Sequence, residues 1–127
     1  MPILCEGIVM YDPRHSFKAP AGEAIPRGHS VYLTSAGTLW LVDDGKNDVC
    51  HGWALEAAAI GDVITVVRYC RMKVDTAQTI GAMAYTGTLA GGSAPSTTLA
   101  AAGLIVGWAY AADAVIVTAP NPPAANG

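Results

Sequence analysis

The sequence predicts an all-β chain: a small β-barrel or β-sandwich built from two pseudo-repeated halves, with extended N- and C-terminal arms. Three observations carry this. Residues 63–69 form a nearly unbroken run of β-branched and aromatic side chains, the composition that suits a pleated, half-buried surface. Short segments of this kind alternate with turn signals along the chain, and no long helical period intervenes. Gly-Trp-Ala also occurs twice, at residues 52–54 and 107–109, each followed by an Asp-led strand pattern. Gly28 stands 24 residues before Gly52, and Gly81 stands 26 before Gly107. Each glycine is followed four positions later by a tyrosine, Tyr32 or Tyr85. Two strand-turn-strand halves, each too small to bury its own face, would then close on one another.

In order, residues 1–24 hold one short strand at 6–11, a turn at Asp12-Pro13-Arg14-His15, and an extended arm or loop at 16–23. The β domain runs from 25 to 118, with halves at about 25–74 and 75–118. Val31-Tyr32-Leu33-Thr34 and Thr38-Leu39-Trp40-Leu41-Val42 flank the tight turn Ser35-Ala36-Gly37. The polar loop 43–48 leads to a strand at 49–55 and a link at 56–60, long enough for one helical turn at most. Gly61-Asp62 turns the chain into a long strand over 63–74, with a bulge expected near Tyr69-Cys70. A short apolar segment at 80–85, a Gly/Ser/Thr/Pro loop at 86–98, and strands within 99–109 and 114–118 follow. Residues 119–127 form a Pro-rich tail without core-forming side chains.

The totals bound the function. At 127 residues the chain is one domain with room for a real core. Charged residues make up 13%, against about 25% in ordinary soluble domains. Mean hydropathy is +0.35. Such a surface is expected to be covered by other copies or by partners. A membrane span is not expected, because the weakly polar stretch 99–120 is broken by Asp113 and has no basic flanks. The first residues lack the basic region and apolar run of a signal peptide, which predicts synthesis and retention in a cytoplasm. A net charge of −3 argues against a nucleic-acid partner. The one basic cluster, Arg68, Arg71 and Lys73, reads as a solvated strand end. Three cysteines at irregular spacing (Cys5, Cys50, Cys70) describe no disulfide framework and read as small buried hydrophobes.

Chemistry is sparse. His15, His29 and His51 lie far apart, and Cys50 and His51 point to opposite faces of a strand, so a zinc site from Cys50, Cys70 and a histidine is disfavoured. The loop Asp43-Asp44-Gly45-Lys46-Asn47-Asp48 lacks the alternating acidic pattern of a calcium loop. Gly91-Gly92-Ser93 lacks the lysine of a phosphate loop. Glu56 and Asp62 make the best carboxylate pair, and each has a structural use in a turn. No catalytic residue, metal ligand or cofactor is therefore expected, and the chain reads as a non-enzyme. Trp40, Trp53, Trp108, Tyr32, Tyr85 and Tyr110 could form a stacking platform. Their repeat-related positions favour equivalent packing in the two halves, in a core or a subunit interface.

The stretch from Gly52-Trp53-Ala54 through Gly61-Asp62-Val63-Ile64-Thr65-Val66 resembles the head decoration (cement) proteins of tailed bacteriophages. The entry Ile25-Pro26-Arg27-Gly28-His29-Ser30-Val31-Tyr32 is similar to theirs, so the resemblance covers about half of the chain. It implies a β-rich structural virion protein that binds the outer surface of an icosahedral capsid and stabilises it, with the major capsid protein as partner and a homotrimer as its state. The long loop 86–98 and the Pro-rich tail depart from the pattern. Two other expectations stay open: a virion-surface carbohydrate- or host-binding module using exposed aromatics, and a small metal-dependent enzyme.

Overall fold

The fold is described by a computed structural model for residues 5–11, 13–42, 49–74, 77–86 and 104–119. Ten strands occur among these: β1 (Cys5–Tyr11), β2 (Ser16–Pro20), β3 (Ser30–Leu33), β4 (Leu39–Leu41), β5 (Gly52–Ala54), β6 (Val63–Val67), β7 (Tyr69–Val74), β8 (Met83–Thr86), β9 (Leu104–Ala111) and β10 (Ala114–Thr118). They form two five-stranded sheets, sheet I in the order β1-β7-β10-β9-β8 and sheet II in the order β2-β6-β5-β3-β4. All neighbours within the sheets are antiparallel. Neither sheet closes into a barrel, although sheet II curls enough for Ala21, just after β2, to make an isolated bridge with Leu39 of β4.

Three glycine turns launch strands in the same way. The N–H groups of His29, Asp62 and Ala82 bond to the carbonyls of Pro26, Ala59 and Thr79 at 3.3, 3.1 and 3.0 Å. The third residue of each turn is a glycine at φ +81°, +90° or +89° (Gly28, Gly61, Gly81), the conformation that a type II turn requires there. The Ser35–Gly37 hairpin turn expected from sequence is present, with Thr34 N–H donating to Thr38 O and Gly37 N–H donating to Thr34 O.

The segment 63–74 departs from expectation. It is two strands in two sheets, separated at Arg68, and not one bulged strand. Arg68 ties together the segments that meet at this crossing. Its Nε donates to His51 O at 3.2 Å, its Nη2 donates to Ala119 O at 3.2 Å, and its own N–H donates to His15 O at 3.0 Å. It is therefore an inter-strand tie and not the solvated strand end read from the basic cluster. The link at 56–60 contains no helix. Residues 16–20, read as arm or loop, form β2 at the edge of sheet II, and β1 forms the edge of sheet I. The loops 43–48 and 87–98 and the tail from 120 onward lie outside the described residues.

Two apolar clusters stabilise the fold. The larger lies between the sheets, with Trp53, Val67 and Cys50 from one side meeting Met72, Val115 and Val117 from the other. The smaller fills the concave side of sheet II, around Ile25, Val31, Leu39 and Val66. Adjacent residues thus serve different clusters: Val66 packs inside sheet II and Val67 between the sheets, as strand alternation requires. Two polar contacts between the sheets are satisfied. Ser30 Oγ meets Thr86 Oγ1, and Trp53 Nε1 donates to Thr118 O at 3.3 Å. Each such pair avoids a buried unsatisfied group, which would cost about 1–3 kcal/mol.

Candidate interaction surface

The two Gly-Trp-Ala segments share their backbone bonding. Gly28 N–H donates to Ala54 O at 2.8 Å and Gly81 N–H donates to Ala109 O at 2.7 Å. The return bonds, from Ala54 to His29 O and from Ala109 to Ala82 O, are both 2.9 Å. Ser30 pairs with Trp53 as Met83 pairs with Trp108. The side chains nevertheless end in different places, which corrects the expectation of equivalent packing. Trp53 is fully buried, because sheet I covers its face of sheet II, whereas Trp108 is 48% exposed on the outer face of sheet I.

That outer face is the most distinctive surface among the described residues. Register places Met83 opposite Trp108, Trp108 opposite Ile116, Ile116 opposite Arg71, and Arg71 opposite Met10. One cross-strand row therefore runs over all five strands, spanning about 19 Å at about 4.8 Å per strand. Met83 and Met10, at its ends, are 53% and 54% exposed, and Ile105 beside the row is 58% exposed. Ile116, at its centre, is buried beneath its neighbours. The row contains no acidic residue. Arg71 lies over the Tyr110 ring at 5.3 Å from its centroid, and its Nε is buried without a hydrogen-bond partner among the described residues. At the Met10 end, Met10, Tyr11, Pro13 and Tyr69 line a shallow apolar depression of about 240 Å³.

The remaining sequence candidates are structural. Glu56 Oε1 accepts from Thr65 N–H at 3.3 Å, and Asp62 Oδ2 accepts from Ala59 N–H at 2.9 Å. Each carboxylate thus serves a nearby backbone donor. Cys50 and Cys70 share the core between the sheets, and burial pushes the Cys50 thiol up to about 12. His51 is buried, and its Nδ1 accepts Leu33 N–H at 2.8 Å. This places the proton of the neutral ring on Nε2, which has no hydrogen-bond partner among the described residues. Burial first, and the Arg68 charge second, hold the His51 pKa below its usual value; burial alone does the same at His29. Among the described residues no three of His, Cys, Asp and Glu come together in a group that could hold a metal ion. Among them too, no helix is long and apolar enough to cross a membrane.

Of the aromatic set, Trp53 is core and Tyr32 packs against it. Trp40 is 37% exposed, with its ring over Gly22 and its Nε1 donating to Thr38 Oγ1 at 3.0 Å. Met10, Met83, Ile105 and Arg71 were not marked as surface-forming by the sequence; only the strand register unites them with Trp108. No protein-family model matches this sequence, and no curated protein matches it.

Proposed function

We propose that this chain is a structural virion protein that binds the outer surface of an icosahedral bacteriophage capsid and stabilises it by adding contacts. The partners are the major capsid protein and further copies of the chain, with a homotrimer as the association that the sequence resemblance implies. Neither a nucleic acid nor a membrane is part of this role, and no catalytic step is. The observation that supports it best is the low-charge two-sheet fold with a broad apolar outer face, which suits contact with protein better than chemistry. The matching bonds around Gly28 and Gly81 support reading residues 25–74 and 75–118 as repeated halves. The N-terminal segment lies in the sheets as edge strands β1 and β2, and neighbouring capsid subunits would meet the chain there through main-chain pairing at the sheet edges. The test is to mix the purified protein with phage shells before and after expansion, sediment them, and measure bound protein and shell melting. Stoichiometric binding with a raised shell melting temperature is the expected result. Absence of binding to either form would remove the proposal.

A second reading has its own support. Trp40, Trp108 and Tyr69 are all exposed, as a carbohydrate- or host-binding module on the virion surface would need. Glycan binding abolished by Trp108→Ala or Trp40→Ala would favour it.

A further inference from the structure

We infer that the outer face of sheet I pairs with the same face of a second copy, about a two-fold axis that runs along the strands through Ile116. The row Met83–Trp108–Ile116–Arg71–Met10 is close to its own complement when reversed. Rotation about that axis sets Ile116 on Ile116, each Arg71 on Trp108 of the other copy, and each Met10 on Met83 of the other copy. An isologous contact of this kind makes every pairing twice.

Charge selects this axis. A two-fold axis along the row itself would bring Arg71 onto Arg71 and leave both without an acceptor. The strand-parallel axis instead offers each guanidinium an indole, the strongest of the aromatic partners for a cation. One side of Arg71 already lies on its own Tyr110, and its Nε is already withdrawn from water. Covering it therefore removes less hydration than covering a solvated arginine would.

Shape agrees with charge. The depression formed by Met10, Tyr11, Pro13 and Tyr69 sits at one end of the row, and the exposed Met83 side chain stands at the other. Reversal brings that side chain to the depression at both ends of the pair. Methionine suits this role, since its unbranched thioether fills irregular gaps. Aligned sheets pack about 10 Å apart and cross at about −30°, so Trp108 and Arg71, beside the axis, keep their contacts best. At roughly half exposure, Met10, Met83, Ile105, Trp108 and Tyr69 present on the order of 500 Å². With Tyr85, Tyr110 and the rim, the face approaches the ~800 Å² per partner of a standard interface. Its Trp, Tyr, Met and Arg content is the composition enriched at such contacts.

The pairing does not rest on the capsid role; it is a two-fold alternative to the trimer that the resemblance implies. Because it would cover the same apolar face, shell contacts would then fall to the sheet edges. It is tested by mass in solution from about 1 to 100 μM, using sedimentation or light scattering. The expected mass is twice the 13.0 kDa of one chain. Trp108→Arg, which sets guanidinium against guanidinium twice, should weaken the pair by at least about tenfold. Adding Arg71→Trp to that variant restores the alternation and should recover the dimer. Met83→Ser, at an exposed position, should also weaken it about tenfold and serves if the tryptophan variant folds poorly. A single-chain mass throughout overturns the inference, as does a dimer unmoved by Trp108→Arg and Met83→Ser. A mass of three chains overturns the two-fold pairing while leaving the capsid role standing. A dimer with these sensitivities that binds no shell supports the pairing and removes the capsid role.

Discussion

His51 should make this protein acid-sensitive well above the range in which carboxylates titrate. Its buried ring accepts the Leu33 N–H at Nδ1, so a second proton would set donor against donor, beside the Arg68 side chain that already bonds His51 O. Because the folded-state pKa lies below the usual value of 6.5, the unfolded chain binds more protons in the window below pH 6.5. Stability is then fully present above about pH 6.5 and is lost as pH falls toward the folded-state value. The slope reaches at most about 1.4 kcal/mol per pH unit for each such group. His29 is shifted in the same direction and contributes in the same window. The assay is urea unfolding at pH 8.0, 7.0, 6.5, 6.0 and 5.5, with the midpoint read at constant m. His51→Asn keeps an acceptor oxygen near the Nδ1 position but removes the titration. It should cost about 1–3 kcal/mol at pH 8 through lost ring packing and shallow the slope below pH 6.5. An unchanged slope in His51→Asn would refute the argument, as would a wild type that gains stability between pH 7 and 5.5.

Gly107→Ala should destabilise by about 3 kcal/mol or more, because a Cβ there would collide with Ile116 O and lie 2.7 Å from Ile116 C, forcing β9 from β10. Gly61→Ala meets no atom within 4 Å but must hold φ +90°, so its cost should be only about 1–2 kcal/mol; unfolding midpoints of the two variants check the order. Arg68→Ala leaves the His51 and Ala119 carbonyls short of a donor and should cost about 1–3 kcal/mol, with amide exchange rising at both ends of the β6–β7 crossing. Cys50, fully buried and shifted up to about 12, should resist alkylation at pH 8 until the protein unfolds, as followed by peptide mass mapping.

The β character of this chain was legible because its strands carry local signals. The alternation over 63–67 and the glycine turns at 28, 61 and 81 are properties of neighbouring residues, and each appears where those residues dictate. The break at Arg68 was not legible. No Gly or Pro marks it, and the crossing depends on carbonyls supplied by His51 and Ala119, remote in sequence. Trp53 and Trp108 sit in identical triplets with alike backbone bonds, yet only the placement of the second sheet decides which one is covered. The interaction surface was half legible for the same reason. Its aromatics were evident as residues, but the neighbourhood of Met83, Trp108, Ile116, Arg71 and Met10 is set by the registers of four strand pairs. One of these registers is shifted between Ala84 and Tyr85, and another between Ile8 and Met10. Spacing along the chain carries no record of such shifts.

The crossing at Arg68 also sets the order in which the molecule can be made. β1 and β2 are synthesised well before their partners β7 and β6, with Tyr11 meeting Cys70 and Ser16 meeting Val67. During elongation the opening strands must therefore wait, edges unpaired, for residues roughly fifty to sixty positions later to leave the ribosome. When segment 63–74 arrives, it gives both of them a template at once, one in each sheet. Its emergence is then the event on which assembly of the two layers turns, and a ribosome pause just before it would prolong the interval in which the nascent chain is most prone to aggregate.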